Sequence, residues 1–120
     1  MKKTLGTIFT ILLLHIFCSS CNLGGIKEQA NRQFGDQHFK TAIALIELHK
    51  VRFGTYPESL DSLKYAGDWD KIINGSVHYE KLDSGYVLDL VNGWMGKPNT
   101  LTYPDEFWQG LGLVKSNMKP

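Results

Sequence analysis

The stretch Phe39-Lys40-Thr41-Ala42-Ile43-Ala44-Leu45-Ile46-Glu47-Leu48-His49-Lys50-Val51-Arg52-Phe53-Gly54-Thr55-Tyr56-Pro57-Glu58-Ser59-Leu60 decides how this chain folds. Phe39, Ala42, Ile43, Ile46, His49 and Phe53 recur at helical spacing, while Lys40, Thr41 and Glu47 fall elsewhere, so one face of a helix is predicted to be buried. Gly54 can take the left-handed backbone that stops a helix. Pro57 suits the first position of a short second helix, from which Leu60 and Leu63 point inward.

Upstream, Ile26 to Phe34 is rich in helix formers, and Gly35-Asp36 is a soft spot rather than an end, so one long helix is expected. Downstream, Lys64 to Ser76 reads as a loop with Gly67, Asp68, Asp70 and Asn74-Gly75 as turn formers and Trp69, Ile72 and Ile73 as anchors. Val77–Leu82 and Tyr86–Val91 then form a hairpin across Asp83-Ser84-Gly85, with Leu82, Leu88 and Leu90 on the buried face. That register also puts His78 and Glu80 on the buried face, an awkward place for them. A third strand is expected at Leu101–Tyr103 and a last one around Leu111–Val114, with Ser116–Pro120 a loose tail. The fold class is α+β, a long N-terminal helix packed on a small antiparallel sheet.

The N-terminus carries a different message. Lys2 and Lys3 precede an apolar run from Leu5 to Phe17, about 13 residues against the roughly 20 of a stable membrane span, and this order is that of an export signal. Its end, Cys18-Ser19-Ser20-Cys21, resembles the lipobox of bacterial lipoproteins, with Cys18 where that family has an aliphatic residue. The resemblance implies cleavage before Cys21, residues 1–20 as signal peptide, and a covalent lipid such as palmitate on Cys21. The same residues spell Cys-x-x-Cys, the spacing of redox pairs, and an ordinary secretory cut is a further alternative. Residues 21–25 form the lipidated cysteine and a tether whose Asn22 to Gly25 span at most about 14 Å. The remaining domain, residues 26–115, therefore sits near the bilayer. Asn22, in place of an aspartate associated with inner-membrane retention, points to the outer membrane.

Gly54-Thr55-Tyr56-Pro57 after the Ala44–His49 helix, with Leu60 following, resembles the pattern of type IV pilins and type II secretion pseudopilins. Trp94, Gly96, Pro98 and Tyr103 are similar to the later pseudopilin run. The resemblance covers Phe39 to about Tyr103 and implies a pilin-like fold and a protein partner in an envelope complex. The prepilin signature is absent, since Gly6 is not followed by a glutamate and a long apolar helix. His49 stands where the family commonly has tyrosine, and Gly110–Lys119 has no acidic calcium-binding tail. Calcium and polymerisation are therefore not carried over.

Chemistry is sparse. Without Lys2 and Lys3 the thirteen basic residues fall to eleven against twelve acidic, with no run of like charge, which argues against nucleic acid as a partner. His49 reads as a hydrogen-bonded core histidine, and His38, eleven residues away, is too distant along a helix to chelate with it. His78 has no paired ligand at a metal spacing. Asp68 and Asp70 read as turn formers, and Ser59 and Ser62 lack a nucleophile's surroundings. Neither catalytic residues, nor a metal, nor a cofactor other than the lipid on Cys21 is expected. The remaining candidate surface is Trp94, Tyr103, Phe107 and Trp108, which either cover one end of the sheet or present an aromatic platform. The chain thus reads as a lipid-anchored, non-enzymatic structural or interaction module of the cell envelope. The alternative is a small-ligand or glycan-binding lipoprotein using Trp94, Tyr103 and Trp108.

Overall fold

The structure is a computed structural model that describes residues 7–8 and 23–120; the signal and Cys21 readings lie outside those residues. Helix α1, Leu23–Phe53, is continuous through Gly35-Asp36. Gly35 keeps the helix because it is a packing position. A Cβ there would lie 3.1 Å from both Leu90 and Pro98 side-chain atoms. The helix also begins at Leu23, inside the stretch expected to be tether. No helix among the described residues is long and apolar enough to cross a membrane.

Phe39, Ala42, Ile43 and Ile46 are buried, but the stripe ends there, because Phe53 is exposed and His49 half-buried. His49 donates from Nδ1 to the Thr55 carbonyl at 2.8 Å and packs on Phe53, so it holds the helix end rather than the core. Gly54, at φ 78°, stops α1, with its N–H on the Lys50 carbonyl and its own carbonyl accepting from Lys50 Nζ. Pro57 is fully buried, and its carbonyl accepts from Tyr79 at 2.6 Å. The expected helix from Pro57 is only a 3₁₀ turn, Leu60–Ser62, and Leu63 is buried after it. The expected loop contains a 3₁₀ turn, Asp68–Ile72, and a helical turn α2, Ile73–Ser76. Those turns bury Ile73 and Ser76 and leave Trp69 and Ile72 exposed, so Ile73 alone is the anchor.

Strands β1 (Val77–Leu82) and β2 (Gly85–Leu90) pair antiparallel with Leu82 opposite Gly85 and Lys81 opposite Tyr86. The loop is therefore Asp83-Ser84, one residue shorter than expected. Because side chains alternate, that single step exchanges the faces. Tyr86, Leu88 and Leu90 face the core opposite Lys81, Tyr79 and Val77, while His78 and Glu80 are exposed. Leu82 goes to the outer side, half-buried. Gly85 serves a neighbour rather than a bulge, since its Cβ would lie 2.2 Å from the Gly112 carbonyl oxygen.

The sheet order is β1-β2-β3, with β3 (Leu113–Lys115) parallel to β2, so the sheet is mixed rather than antiparallel. Leu101–Tyr103 forms no strand. Its Tyr103 is fixed instead by ring stacking on Phe39 and Phe107. The tail is docked rather than loose. Ser116 and Met118 are buried, and the Asn117 amide both accepts from the Leu90 N–H and donates to its carbonyl, continuing the sheet edge with a side chain.

Helix and sheet meet at Glu47. Its carboxylate accepts from Tyr86 Oη at 2.9 Å, the Gly112 N–H at 2.8 Å and Tyr56 Oη at 3.2 Å. Tyr56 lies so close to Gly112 that a Cβ there would be 1.9 Å from its hydroxyl oxygen. Gly112→Ala is expected to lower unfolding free energy by about 2 kcal/mol through overpacking. Urea denaturation checks this, and an unchanged midpoint contradicts it.

Candidate functional site

The four aromatics singled out in the sequence do not form one surface. Tyr103 stacks on Phe107 with centroids 4.2 Å apart, and Trp108 meets both rings edge-on. All three pack onto Phe39, or onto rings that touch it, and Trp108 is only 8% exposed, so they belong to the core. Burial first, and Asp36 beside it, push the Tyr103 hydroxyl well above its ordinary pKa. Trp94 stands apart and is 54% exposed.

The position of Trp94 follows from clamps that helix α1 places on the connection after β2. Asn31, buried in the helix, accepts from the backbone N–H of both Trp94 (3.1 Å) and Met95 (2.7 Å). Gly93 passes so near the Asn31 backbone that a Cβ would lie 2.2 Å from its carbonyl oxygen. Further along, Glu28 accepts from the Asn99 N–H at 2.8 Å. The chain thus has no freedom to carry Trp94 toward Trp108.

Trp94 instead lines a cleft of about 240 Å³ together with Trp69, with Phe34 and His38 of α1, and with Ile72, Gly75 and Ser76. Trp69 is 69% exposed. His38 is 3% exposed, with Phe34 stacked on it at 6.1 Å, and its Nδ1 lies 3.0 Å from Ser76 Oγ. His38 is therefore an inward position of α1, beside Ser76 of α2 and the Gly93 backbone. Its Nε2 is buried without a partner.

The other candidates resolve simply. Asp68 pairs with Lys71 at 3.1 Å, and Asp70 lies in the 3₁₀ turn. His49 and His78 lie outside the cleft. Among the described residues no group of three or more His, Cys, Asp or Glu is placed to hold a metal ion. Cys21 lies outside the described residues. Apolar walls with few polar groups are what a binding pocket requires, and the one hydroxyl–imidazole contact in the cleft, Ser76 Oγ to His38 Nδ1, joins two buried side chains, with Oγ also 3.0 Å from the Ile72 carbonyl oxygen. The chain matches no protein-family model, no curated protein and no solved structure.

Sequence reasoning missed Trp69, His38 and Asn31 as members of one site. The only signal was that Trp69 and Trp94 each sit among turn formers, where a large aromatic has little core to fill.

Burial holds the His38 ring below its ordinary value of 6.5, opposed in part by the Gly93 backbone carbonyl. The folded protein keeps a neutral ring while the unfolded chain takes up a proton below about pH 6.5. The stability this neutral ring represents is full above that pH and is lost as pH falls through the lower folded value. His38→Gln is expected to flatten the decline in the urea midpoint between about pH 7 and pH 5. An identical decline in wild type and variant contradicts this.

Proposed function

We propose that this chain is a lipid-anchored, non-enzymatic interaction module of the cell envelope, held by an acylated Cys21 and presenting the Trp69–Trp94 cleft to a partner. The observation that carries the reading is the pairing of two facts. The export-signal order ends in Ser19-Ser20-Cys21, and helix α1 begins at Leu23. With no long tether between lipid and helix, the domain stays near the bilayer. More than one acyl chain gives stable anchoring, whereas one gives only reversible binding.

The long helix on a small sheet, and the Gly-x-Tyr-Pro turn that fastens Tyr56 and Pro57 to the sheet, support the likeness to pilin and pseudopilin subunits. The partner proposed is accordingly a protein of a secretion or pilus-like envelope complex, with the outer membrane as the location. Catalysis and nucleic-acid binding have no part in this reading.

A small-ligand lipoprotein is the second reading. The separation of Trp94 from Tyr103 and Trp108 removes the platform first expected for it. The cleft lined by Trp69, Trp94 and Phe34 favours it in a new place.

Metabolic labelling with a fatty-acid analogue tests the anchor. Wild type is expected to take up label and to sediment with membranes, and Cys21→Ser is expected to do neither. An unlabelled wild type overturns the lipid-anchored reading.

A further inference from the structure

After β2 the chain makes a turn, residues 92–96, whose backbone is fixed while its two large apolar side chains stay outside. The Gly93 N–H donates to the Gly96 carbonyl and the Gly96 N–H to Asn92 Oδ1, both at 2.8 Å, and Asn31 of α1 accepts from the Trp94 and Met95 N–H groups. Between those bonds Trp94 is 54% exposed and Met95 59%. Apolar side chains exposed singly are ordinary, whereas two in succession on a backbone so ordered form a presented surface.

The place of this turn decides what it meets. Met95, Gly96 and Lys97 line one pocket with Gly24, Lys27 and Glu28 from the first turns of α1. That helix begins at Leu23, two residues after Cys21, and two residues span at most about 7 Å. The hairpin loop Asp83-Ser84 instead lines a pocket with Lys50 and Thr55, at the far end of a helix whose 31 residues extend about 45 Å. Lys27, Asn31 and Gly35 share one side of α1, and Gly35 is covered there by Leu90 and Pro98. A helix leaning toward that side from Cys21 therefore comes to rest on the turn.

We propose that residues 94–97, together with Lys27, dock on the bilayer that holds the lipid of Cys21, with Trp94 and Met95 at headgroup level and Lys27 and Lys97 on lipid phosphates. This rests on the lipid-anchored reading and extends it from nearness to a fixed orientation. Tryptophan favours the membrane–water interface, where an apolar ring and a polar N–H are both accommodated. Both lysines are exposed, and neither forms an ion pair among the described residues. The acid beside them, Glu28, is engaged by the Asn99 N–H and the Thr100 hydroxyl. Two lysines on long apolar stems reach an anionic headgroup layer without burying their charge. The patch is small, but an acyl chain on Cys21 makes its contact intramolecular, so weak attraction suffices. The cleft that Trp94 also lines then lies beside the bilayer, where an envelope partner is met.

Amide NMR of the full chain, isolated from membranes and placed in phosphatidylglycerol nanodiscs carrying a nitroxide lipid at headgroup depth, tests the proposal. Signals of residues 24–27 and 94–97 are expected to broaden, and those of Gly54, Asp83 and Ser84 to stay sharp. Trp94→Ser with Met95→Ser, changes at exposed sites that keep the backbone bonds, should cut the broadening at Lys97 several-fold and leave that at residues 24–27. Phosphatidylcholine nanodiscs should give a several-fold weaker effect at Lys97. Broadening confined to residues 24–27, equally strong at Asp83 and Ser84, or undiminished in the double variant overturns the docking. Equal broadening in the two lipids overturns the part given to Lys27 and Lys97. The mass of the same sample separates this inference from the anchor beneath it. An acylated chain with no effect at residues 94–97 overturns the docking alone, an unmodified Cys21 with the effect present overturns the anchor alone, and an unmodified chain with no effect overturns both.

Discussion

The Glu47 carboxylate is the point on which the arrangement of helix and sheet depends. It leaves the C-terminal third of α1 and gathers a hydroxyl from β2, a hydroxyl from the turn after the helix, and a backbone N–H from the approach to β3. Hydrogen bonds to a charged acceptor contribute roughly 1.5 to 3 kcal/mol each, and half-buried groups stand at the favourable end of what a surface contact offers. The geometry also dictates glycine at two places. Gly112 must admit the Tyr56 ring, and Gly85 must admit the Gly112 carbonyl. Burial and the adjacent Glu47 charge together push the Tyr86 hydroxyl far above its ordinary pKa, which keeps it a donor at any working pH.

Beyond this hub, order comes from side chains bonded to backbone rather than from ladders. β3 has three residues and the connection leading to it contains no strand, so the sheet alone would leave that segment poorly fixed. Asn31, Glu28 and Asn117 supply what the ladder lacks, each holding backbone of a distant segment. The functional consequence is positional. Asn31 fixes the backbone of Trp94, and Ser76 of the short helical turn meets the ring of His38, so contacts within the chain hold both segments beside the cleft that Trp69 also lines.

The long helix, its stop at Gly54, the buried Phe39–Ile46 face and the hairpin strands were legible because each repeats or punctuates locally. The hairpin register was not, since Asp83-Ser84-Gly85 permits two alignments and only the contact with Gly112 selects one. The parallel placement of β3 depends on Tyr86 meeting Gly112 across the chain, which no local period records. The site was obscure for the same reason. His38, Trp69, Ser76 and Trp94 come from three segments, and aromatics near Pro104 looked alike in sequence although Asn31 holds one of them elsewhere. The proposed lipid anchor is read from the sequence motif alone, since Cys21 lies outside the described residues.

A double-mutant cycle between Glu47→Ala and Tyr86→Phe measures directly whether the carboxylate joins helix to sheet. Urea unfolding of the wild type, both single variants and the double variant should give a coupling of about 1 to 2 kcal/mol. Single losses that add to the double loss within about 0.3 kcal/mol would mean that helix and sheet are held by apolar packing alone.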